Sequence, residues 1–130
     1  MKFIKYLLLF SLVSFAFSNC KKNEMSRSFL GKSFAQAELK SALDNNVEQN
    51  LIDNKKLIVR NSLTAIAIAE PILFGLYDRE NIEKQKPYEI FLIDNHWILS
   101  GTLPTNKDGG TFLIIIDARN SKVIKITHGK

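Results

Sequence analysis

The feature that most constrains the fold is a change of hydrophobic period at Pro87. Before this residue, apolar side chains recur every three or four positions, which is the spacing of one face of an α-helix. After it, apolar and polar residues alternate, which is the spacing of a strand with one buried face. Because helices come first and sequential strands follow, the sequence predicts an α+β domain with an antiparallel meander.

The first predicted helix is Ser33–Asn46. Ser33 followed by Gln36 fits a capping box at its N-terminus. Four apolar side chains then fall on one helical face: Ala35, Leu39, Ala42 and Leu43.

The second predicted helix, Leu63–Tyr77, is apolar on nearly every side and is therefore expected to be buried at the centre of the fold. Asn61 is its candidate N-cap. Pro71 lies in its interior and predicts a kink, because proline removes one backbone hydrogen bond and clashes with the preceding turn. The charged segment Arg79–Lys86 is predicted to be a short helix or turn anchored by Ile82.

Four strands are predicted after Pro87: Tyr88–Ile93, His96–Leu103, Thr111–Asp117 and Lys122–Thr127. The Asp94-Asn95 pair predicts a two-residue turn, because both residues tolerate positive φ. The continuous apolar run in the third strand predicts burial on both faces. Asn120 is expected in the left-handed region of the last turn, with Ile124 and Ile126 facing inward on the fourth strand.

The N-terminus is typical of an export signal. Met1–Lys5 is basic, and Tyr6–Phe17 is an apolar run of 12 residues, whereas a bilayer-spanning helix needs about 20. The alternative is a buried core helix. Cys20, the single cysteine, follows directly and resembles the lipidated residue of a bacterial lipoprotein; the alternative is an ordinary signal peptide with a spare thiol. The predicted domains are therefore a lipoprotein signal peptide (1–19), a lipidated cysteine with its tether (20–32) and a globular domain (33–130).

These predictions limit the partners of the mature chain. Removal of the signal leaves a net charge of +3, which is no nucleic-acid footprint. Lipid on Cys20 would hold the chain to a membrane, on the periplasmic side of the cell envelope. Lys21, rather than aspartate, follows the cysteine and favours the outer membrane. One cysteine and two histidines without motif spacing indicate no metal site, and no cofactor motif is present.

Several stretches of the second half form an ordered pattern. They are Ala65–Glu70, Leu76-Tyr77, Ile82–Tyr88, Trp97–Pro104, Gly109-Gly110 and Ile126–Lys130. The pattern resembles the bacterial immunity proteins with a nuclear transport factor 2-like (NTF2-like) fold, from about Leu57 to Lys130, or 74 of 130 residues. The resemblance implies a curved antiparallel sheet wrapped around helices as a cone. It also implies a protein that is not an enzyme and that neutralises a secreted polymorphic toxin by binding it. A lipid-anchored inhibitor would face a toxin that acts in the envelope.

Candidate site residues fall into two groups. Trp97, His128 and Lys130 are candidate partner contacts, although Trp97 alternates with core positions and His128 could simply form a hydrogen bond beside the last strand. The second group sets backbone geometry: a helix-to-strand turn at Gln85 and Pro87, and a strand bend and a positive-φ loop at Gly101, Gly109 and Gly110.

Two other functions remain open. An enzyme would need acid or base groups. The candidates are Glu70, Tyr77, His96 and His128, and no spacing in the sequence forces any two of them together. A small-ligand-binding envelope lipoprotein would use the cavity of the cone. An apolar cavity with one or two inward polar groups would favour ligand binding, whereas a filled cone with an exposed patch would favour immunity.

Overall fold

A computed structural model describes residues 27–44 and 49–129. The predicted signal peptide, the lipidation site at Cys20 and the candidate contact Lys130 lie outside the described residues. Contacts divide the chain into two compact units, residues 1–46 and residues 47–130. Within the described ranges, no helix has the length and apolar character that crossing a membrane requires. The predicted domain boundaries stay predictions.

The first unit contains helix α1, Gly31–Leu43. Its N-cap is Leu30, which makes no side-chain capping bond, so the predicted capping box at Ser33 is wrong. Ser33 already lies within the first helical turn, and its hydroxyl is therefore not at the capping position. None of the residues of α1 is buried. The predicted packing of this helix on the sheet stays a prediction.

The second unit begins its regular structure with helix α2, Ser62–Tyr77. The predicted N-cap is confirmed, because the Asn61 side chain accepts a hydrogen bond from the Thr64 amide at 2.9 Å. The prediction of burial on every side is wrong. Only Ala65, Ala69 and Leu73 are buried, at a spacing of four residues, while Leu63 is 76% exposed. The core reaches one face of this helix, and the opposite face carries apolar side chains to the surface.

Helix α3, Arg79–Glu83, follows at once. Its predicted anchor, Ile82, is fully buried. The four strands are β1 Glu89–Ile93, β2 His96–Ser100, β3 Phe112–Asp117 and β4 Val123–His128. They form one antiparallel sheet in the order β1-β2-β3-β4, and this confirms the predicted α+β class and meander.

Two turns between strands were predicted from their residues, and the structure confirms one of them. Asp94 and Asn95 have φ values of 46° and 62°, so the predicted two-residue turn between β1 and β2 is confirmed. In the last turn, however, Ser121 adopts the left-handed conformation, with φ of 63°, and Asn120 does not. The Asn120 side chain instead accepts the amide of Lys122 at 2.9 Å, and this bond spans Ser121, the residue with the positive φ.

Burial in β3 and β4 differs from the prediction. Phe112, Ile114 and Ile116 are buried, whereas Leu113 and Ile115 are half-buried, so β3 does not have two fully buried faces. In β4, Ile126 lies opposite Ile114 and Val123 opposite Ile116, with a register shift between them. This β-bulge adds one residue to β4, and Ile124 is consequently 51% exposed instead of facing inward.

One core lies between the sheet and the two helices of the second unit. Its buried apolar residues are Val59, Ala65, Ala69, Leu73, Ile82, Trp97, Leu99, Phe112, Ile114, Ile116 and Ala118.

Candidate functional site

Four residues of the sequence pattern meet at one end of the sheet. Gln85 follows α3, Gly101 follows β2, Gly110 precedes β3 and His128 ends β4. We call these four residues the Gln85 junction. They come from separate elements, and Gln85 and His128 are 43 positions apart in the chain.

The side-chain amide of Gln85 is buried and fully bonded. Its Oε1 accepts the Phe112 amide at 2.9 Å, and its Nε2 donates to the Asn81 carbonyl at 3.0 Å. A backbone amide only donates and a carbonyl only accepts, so these two bonds fix the orientation of the side chain. Gln85 Nε2 also lies 3.2 Å from Nε2 of His128.

This orientation fixes the proton on the histidine ring. Because Gln85 Nε2 is a donor, Nε2 of His128 accepts, and the ring proton lies on Nδ1. That nitrogen lies 2.8 Å from the carbonyl oxygen of Gly129 and donates to it. Both ring nitrogens of His128 are therefore engaged in hydrogen bonds in the neutral form.

The glycines of the junction leave room for close approaches. A Cβ on Gly101 would overlap the Gln85 side chain, and a Cβ on Gly110 would overlap the carbonyl group of Gly129. Both glycines are therefore required by close contacts. Gly110 does not have the positive φ expected from sequence, and the strand bend expected at Gly101 stays a prediction. Gly109, next in the loop, has the positive φ expected there, 150°.

The turn from α3 to β1 is tied to the end of β2. Thr102 donates its amide to the Gln85 carbonyl at 2.9 Å and its hydroxyl to the Pro87 carbonyl at 2.7 Å. The peptide bond between Lys86 and Pro87 is cis. Gln85 and Pro87 thus hold the turn by their backbone carbonyls, and Gln85 also holds it by its side chain.

A first cavity of about 440 Å³ opens at the junction. Its lining residues are Tyr77, Asn81, Lys84, Gln85, Leu103, Gly110 and His128. The rings of Tyr77 and His128 are 5.1 Å apart between centroids. Two of the four acid or base candidates therefore come together here, which no sequence spacing had indicated.

A second, more open cavity of about 630 Å³ lies between α2 and β1. Its walls are apolar except for a polar group around Glu70, whose carboxylate accepts Lys86 Nζ at 2.8 Å and the Tyr88 hydroxyl at 3.1 Å. Burial, together with the hydrogen bond and charge of Glu70, raises the pKa of Tyr88. Glu70 is therefore paired with Lys86 and Tyr88 and also forms part of the cavity wall.

A charged cluster at the opposite end of β3 was missed from sequence. Asp117 is buried and binds Arg119 through two contacts, Nε to Oδ1 at 2.9 Å and Nη2 to Oδ2 at 2.7 Å. Arg119 holds the pKa of Asp117 below its ordinary value. The signal for this cluster was an aspartate at the end of an apolar strand, followed two residues later by arginine. His96 joins the cluster from β2, with Nε2 3.9 Å from Oδ2 of Asp117.

Trp97 lies in the core. It is 7% exposed, and its indole N–H donates to the Val59 carbonyl at 2.8 Å. The structure thus places it at the core position that its alternation favoured, and its role as a partner contact is wrong, because a buried indole offers no surface. His128 is the one candidate partner contact on the described surface. Among residues 27–44 and 49–129, no group of three or more histidine, cysteine or acidic side chains could hold a metal ion.

Comparison with protein families matches residues 64–130 to the NTF2 fold immunity proteins. Two curated relatives come from Escherichia coli strain K12. The uncharacterized protein YhhH is 31% identical over 74 residues, which cover 56% of this chain and 58% of the relative. The uncharacterized protein YbbC is 33% identical over 76 residues, which cover 58% of this chain and 62% of the relative. The chain therefore spans about three fifths of the length of these relatives. No solved structure matches.

Proposed function

This chain belongs to the family of NTF2 fold immunity proteins, and we propose that it binds and neutralises a secreted polymorphic toxin that acts in the cell envelope. The observation that carries the proposal is the family match, which runs from α2 through the whole sheet. It supports the NTF2-like fold and the immunity class that the sequence pattern implied.

The envelope location rests on the N-terminal sequence. In this proposal residues 1–19 direct export and Cys20 carries the lipid. The predicted tether extends to residue 32, but helix α1 begins at Gly31, so the tether is shortened to residues 21–30. Ten residues reach about 35 Å when extended, which holds the domain clear of the lipid headgroups. Inhibitors of nuclease toxins often imitate nucleic acid with acidic surfaces. The mature charge of +3 does not fit such an inhibitor and therefore supports a toxin that does not act on nucleic acid.

Neutralisation by binding is supported by polar side chains of the two cavities, because they are already hydrogen-bonded to one another or to the backbone. In the first cavity both ring nitrogens of His128 are engaged, and in the second the Glu70 carboxylate is occupied by Lys86 and Tyr88. The outer face of the sheet offers an apolar surface instead. Phe91, Ile98 and Ile115 lie opposite one another on adjacent strands, and Phe91 is 53% exposed.

A rescue assay tests the proposal. The C-terminal domain of a large secreted protein encoded beside this gene is sent to the periplasm of a test strain, and survivors are counted. The full chain is expected to protect, whereas a Cys20→Ala chain lacking residues 1–19 is expected not to. Death despite the full chain, or protection only against a toxin confined to the cytoplasm, would overturn the proposal.

Two matched variants locate the contact. Ile115→Lys places a charge on the outer face of the sheet, and Leu63→Lys places the same charge on an exposed apolar position of α2. At equal protein abundance, the first is expected to lose protection and the second to retain it. Equal protection by both variants would exclude the outer face as the toxin contact.

The second cavity favours an alternative function, which is small-ligand binding by an envelope lipoprotein. It combines apolar walls with an inward polar group, and about 630 Å³ falls within the usual range of about 300–1,000 Å³ for ligand pockets. Native mass spectrometry of the protein from its own membrane would show a retained ligand, and Ile66→Trp, which fills the cavity, would remove it. Under the immunity proposal, Ile66→Trp leaves protection unchanged.

A further inference from the structure

We propose that two copies of this chain pair antiparallel through their β1 edges and so continue the four-stranded sheet into a second copy. The inference does not depend on the identity of a toxin. It rests on the free backbone groups of β1, on the contrast between the two edges of the sheet, and on the symmetry of the strand.

The backbone of β1 offers unpaired hydrogen-bonding groups. Among the described residues, β1 pairs with β2 alone. Ile93 and His96 flank the two-residue turn, and both turn residues have positive φ, so these two form a hydrogen-bonded pair. Because such pairs alternate along an antiparallel ladder, Phe91 also bonds to β2, while the amides and carbonyls of Ile90 and Leu92 point away from the sheet.

The two edges of the sheet differ in how they are protected. Natural edge strands are blunted by lysine, proline or a β-bulge. The β4 edge has a bulge and is flanked by Lys122 and contains Lys125. The β1 edge has an unbroken register, no lysine or proline, and three exposed apolar residues, which are Phe91 at 53%, Leu92 at 43% and Ile93 at 55%. An edge of this kind is a template for another strand.

The strand is complementary to itself. With a two-fold axis at Phe91, Ile90 of one copy lies opposite Leu92 of the other, and their outward amides and carbonyls form two pairs of hydrogen bonds. The one charged residue of β1, Glu89, then lies opposite Ile93 of the second copy. The two Glu89 residues stay four positions apart along the paired strands, or about 13 Å. No like charges face each other across the interface.

The exposure of Leu92 fits the same arrangement. Leu92 lies opposite Trp97, which is buried, so its side chain is on the core-facing side of the sheet, yet it is 43% exposed. In the paired sheets, Leu92 of the second copy lies beside Ile90, which lines the second cavity. The second copy thus covers Leu92 and bounds the open side of that cavity.

Cysteine cross-linking tests the pairing and its register. The full chain is expressed with Cys20→Ser, so that the introduced cysteine is the only thiol, and cross-linking is measured on the purified protein. The two Cα atoms at position 91 would be about 4.5 Å apart, within the range of a disulfide. Phe91→Cys is therefore expected to give mostly disulfide-linked dimer under mild oxidation. Ile124→Cys, similarly exposed at 51% but on the β4 edge, is expected to stay monomeric.

The register of the pairing gives a second test, which uses two single-cysteine variants and does not depend on the folding of any one of them. Glu89→Cys and Ile93→Cys are each expected to stay monomeric alone and to form a mixed dimer when co-expressed. Leu92→Pro, added to Phe91→Cys, removes an outward amide without touching the bonds to β2, and is expected to abolish the cross-link. The proposal fails if Phe91→Cys cross-links no more than Ile124→Cys, if Glu89→Cys links to itself, or if folded Leu92→Pro protein links undiminished.

Discussion

The Gln85 junction and the β1 edge differ in how fully their polar groups are satisfied. At the junction, Gln85 bonds to the Phe112 amide, the Asn81 carbonyl and His128, and both nitrogens of His128 have partners. At the β1 edge, the outward backbone groups of two residues have no partner among the described residues. The residues that carry the sequence pattern therefore hold the fold together, whereas the strand proposed to pair with a second copy lies outside that pattern.

The largest expected effect is at Gly110. Gly110→Ala would force a Cβ into the backbone carbonyl of Gly129, and backbone cannot move aside as a flexible side chain can. We expect a loss of about 3 kcal/mol or more in the free energy of unfolding, measured by denaturant titration. The matched control is Gly75→Ala in α2, where a Cβ meets nothing within 4 Å and should stabilise by about 0.5–1 kcal/mol. A similar small change in both variants would mean that the junction is not closely packed.

The next effect is at Gln85. Gln85→Met keeps the length of the side chain but leaves the buried Phe112 amide without its acceptor, at a cost of about 1–3 kcal/mol. Gln36→Met, on the exposed surface of α1, is the control and should leave the unfolding midpoint unchanged. If the two variants unfold alike, Phe112 finds another acceptor and the junction does not depend on Gln85.

A substitution at His128 tests whether this residue stabilises the fold or contacts the toxin. His128→Ala removes one bond to Gln85 and the ring contact with Tyr77, and should lower stability by about 0.5–1.5 kcal/mol. Protection against toxin should be unchanged at equal protein abundance, because the ring serves the junction. Lost protection with unaltered stability would instead make His128 a partner contact and break the comparison.

The smallest expected effect on stability is at Tyr88, in the wall of the second cavity. Tyr88→Phe removes the hydrogen bond to Glu70 and should cost less than about 1 kcal/mol. Folding raises the pKa of Tyr88, so its contribution is present below the ordinary value of 10.0 and is lost as the pH rises above it. Unfolding midpoints of wild type should therefore fall more steeply above pH 10 than those of Tyr88→Phe. Parallel pH profiles would show that neither burial nor Glu70 raises the pKa of Tyr88 in the folded protein.

The sequence predicted the elements well and their burial less well. Asn61 as a cap and Asp94-Asn95 as a turn were correct because each depends on residues within a few positions. The predicted burial of α2 on every side and of β3 on both faces was wrong. A run of apolar residues does not say how many of its sides another layer of the fold will cover. The bulge in β4, which turns Ile124 outward, had no local signal.

The candidate site divides in the same way. The sequence pattern named Gln85, Gly101, Gly110 and His128, but gave no reason for them to meet. Asp117 and Arg119 are two positions apart, but His96 reaches Asp117 from another strand. The pairing of Glu70 with Lys86 and Tyr88 also combines residues from different elements, so no spacing rule connects them.

By itself, the sequence determined the order of elements, the cap at Asn61, the turn at Asp94-Asn95 and the family, and it predicted the export signal. These follow from local periodicity and from residues read in order. Only the tertiary structure decided that Gln85 reaches His128 across 43 positions and that two glycines are required by contact. It also decided that β1 is an open edge among the residues that the structure describes. The physical reason is that hydrogen bonds and packing act through space, and the neighbours of a side chain are set by how the strands are ordered rather than by position in the chain.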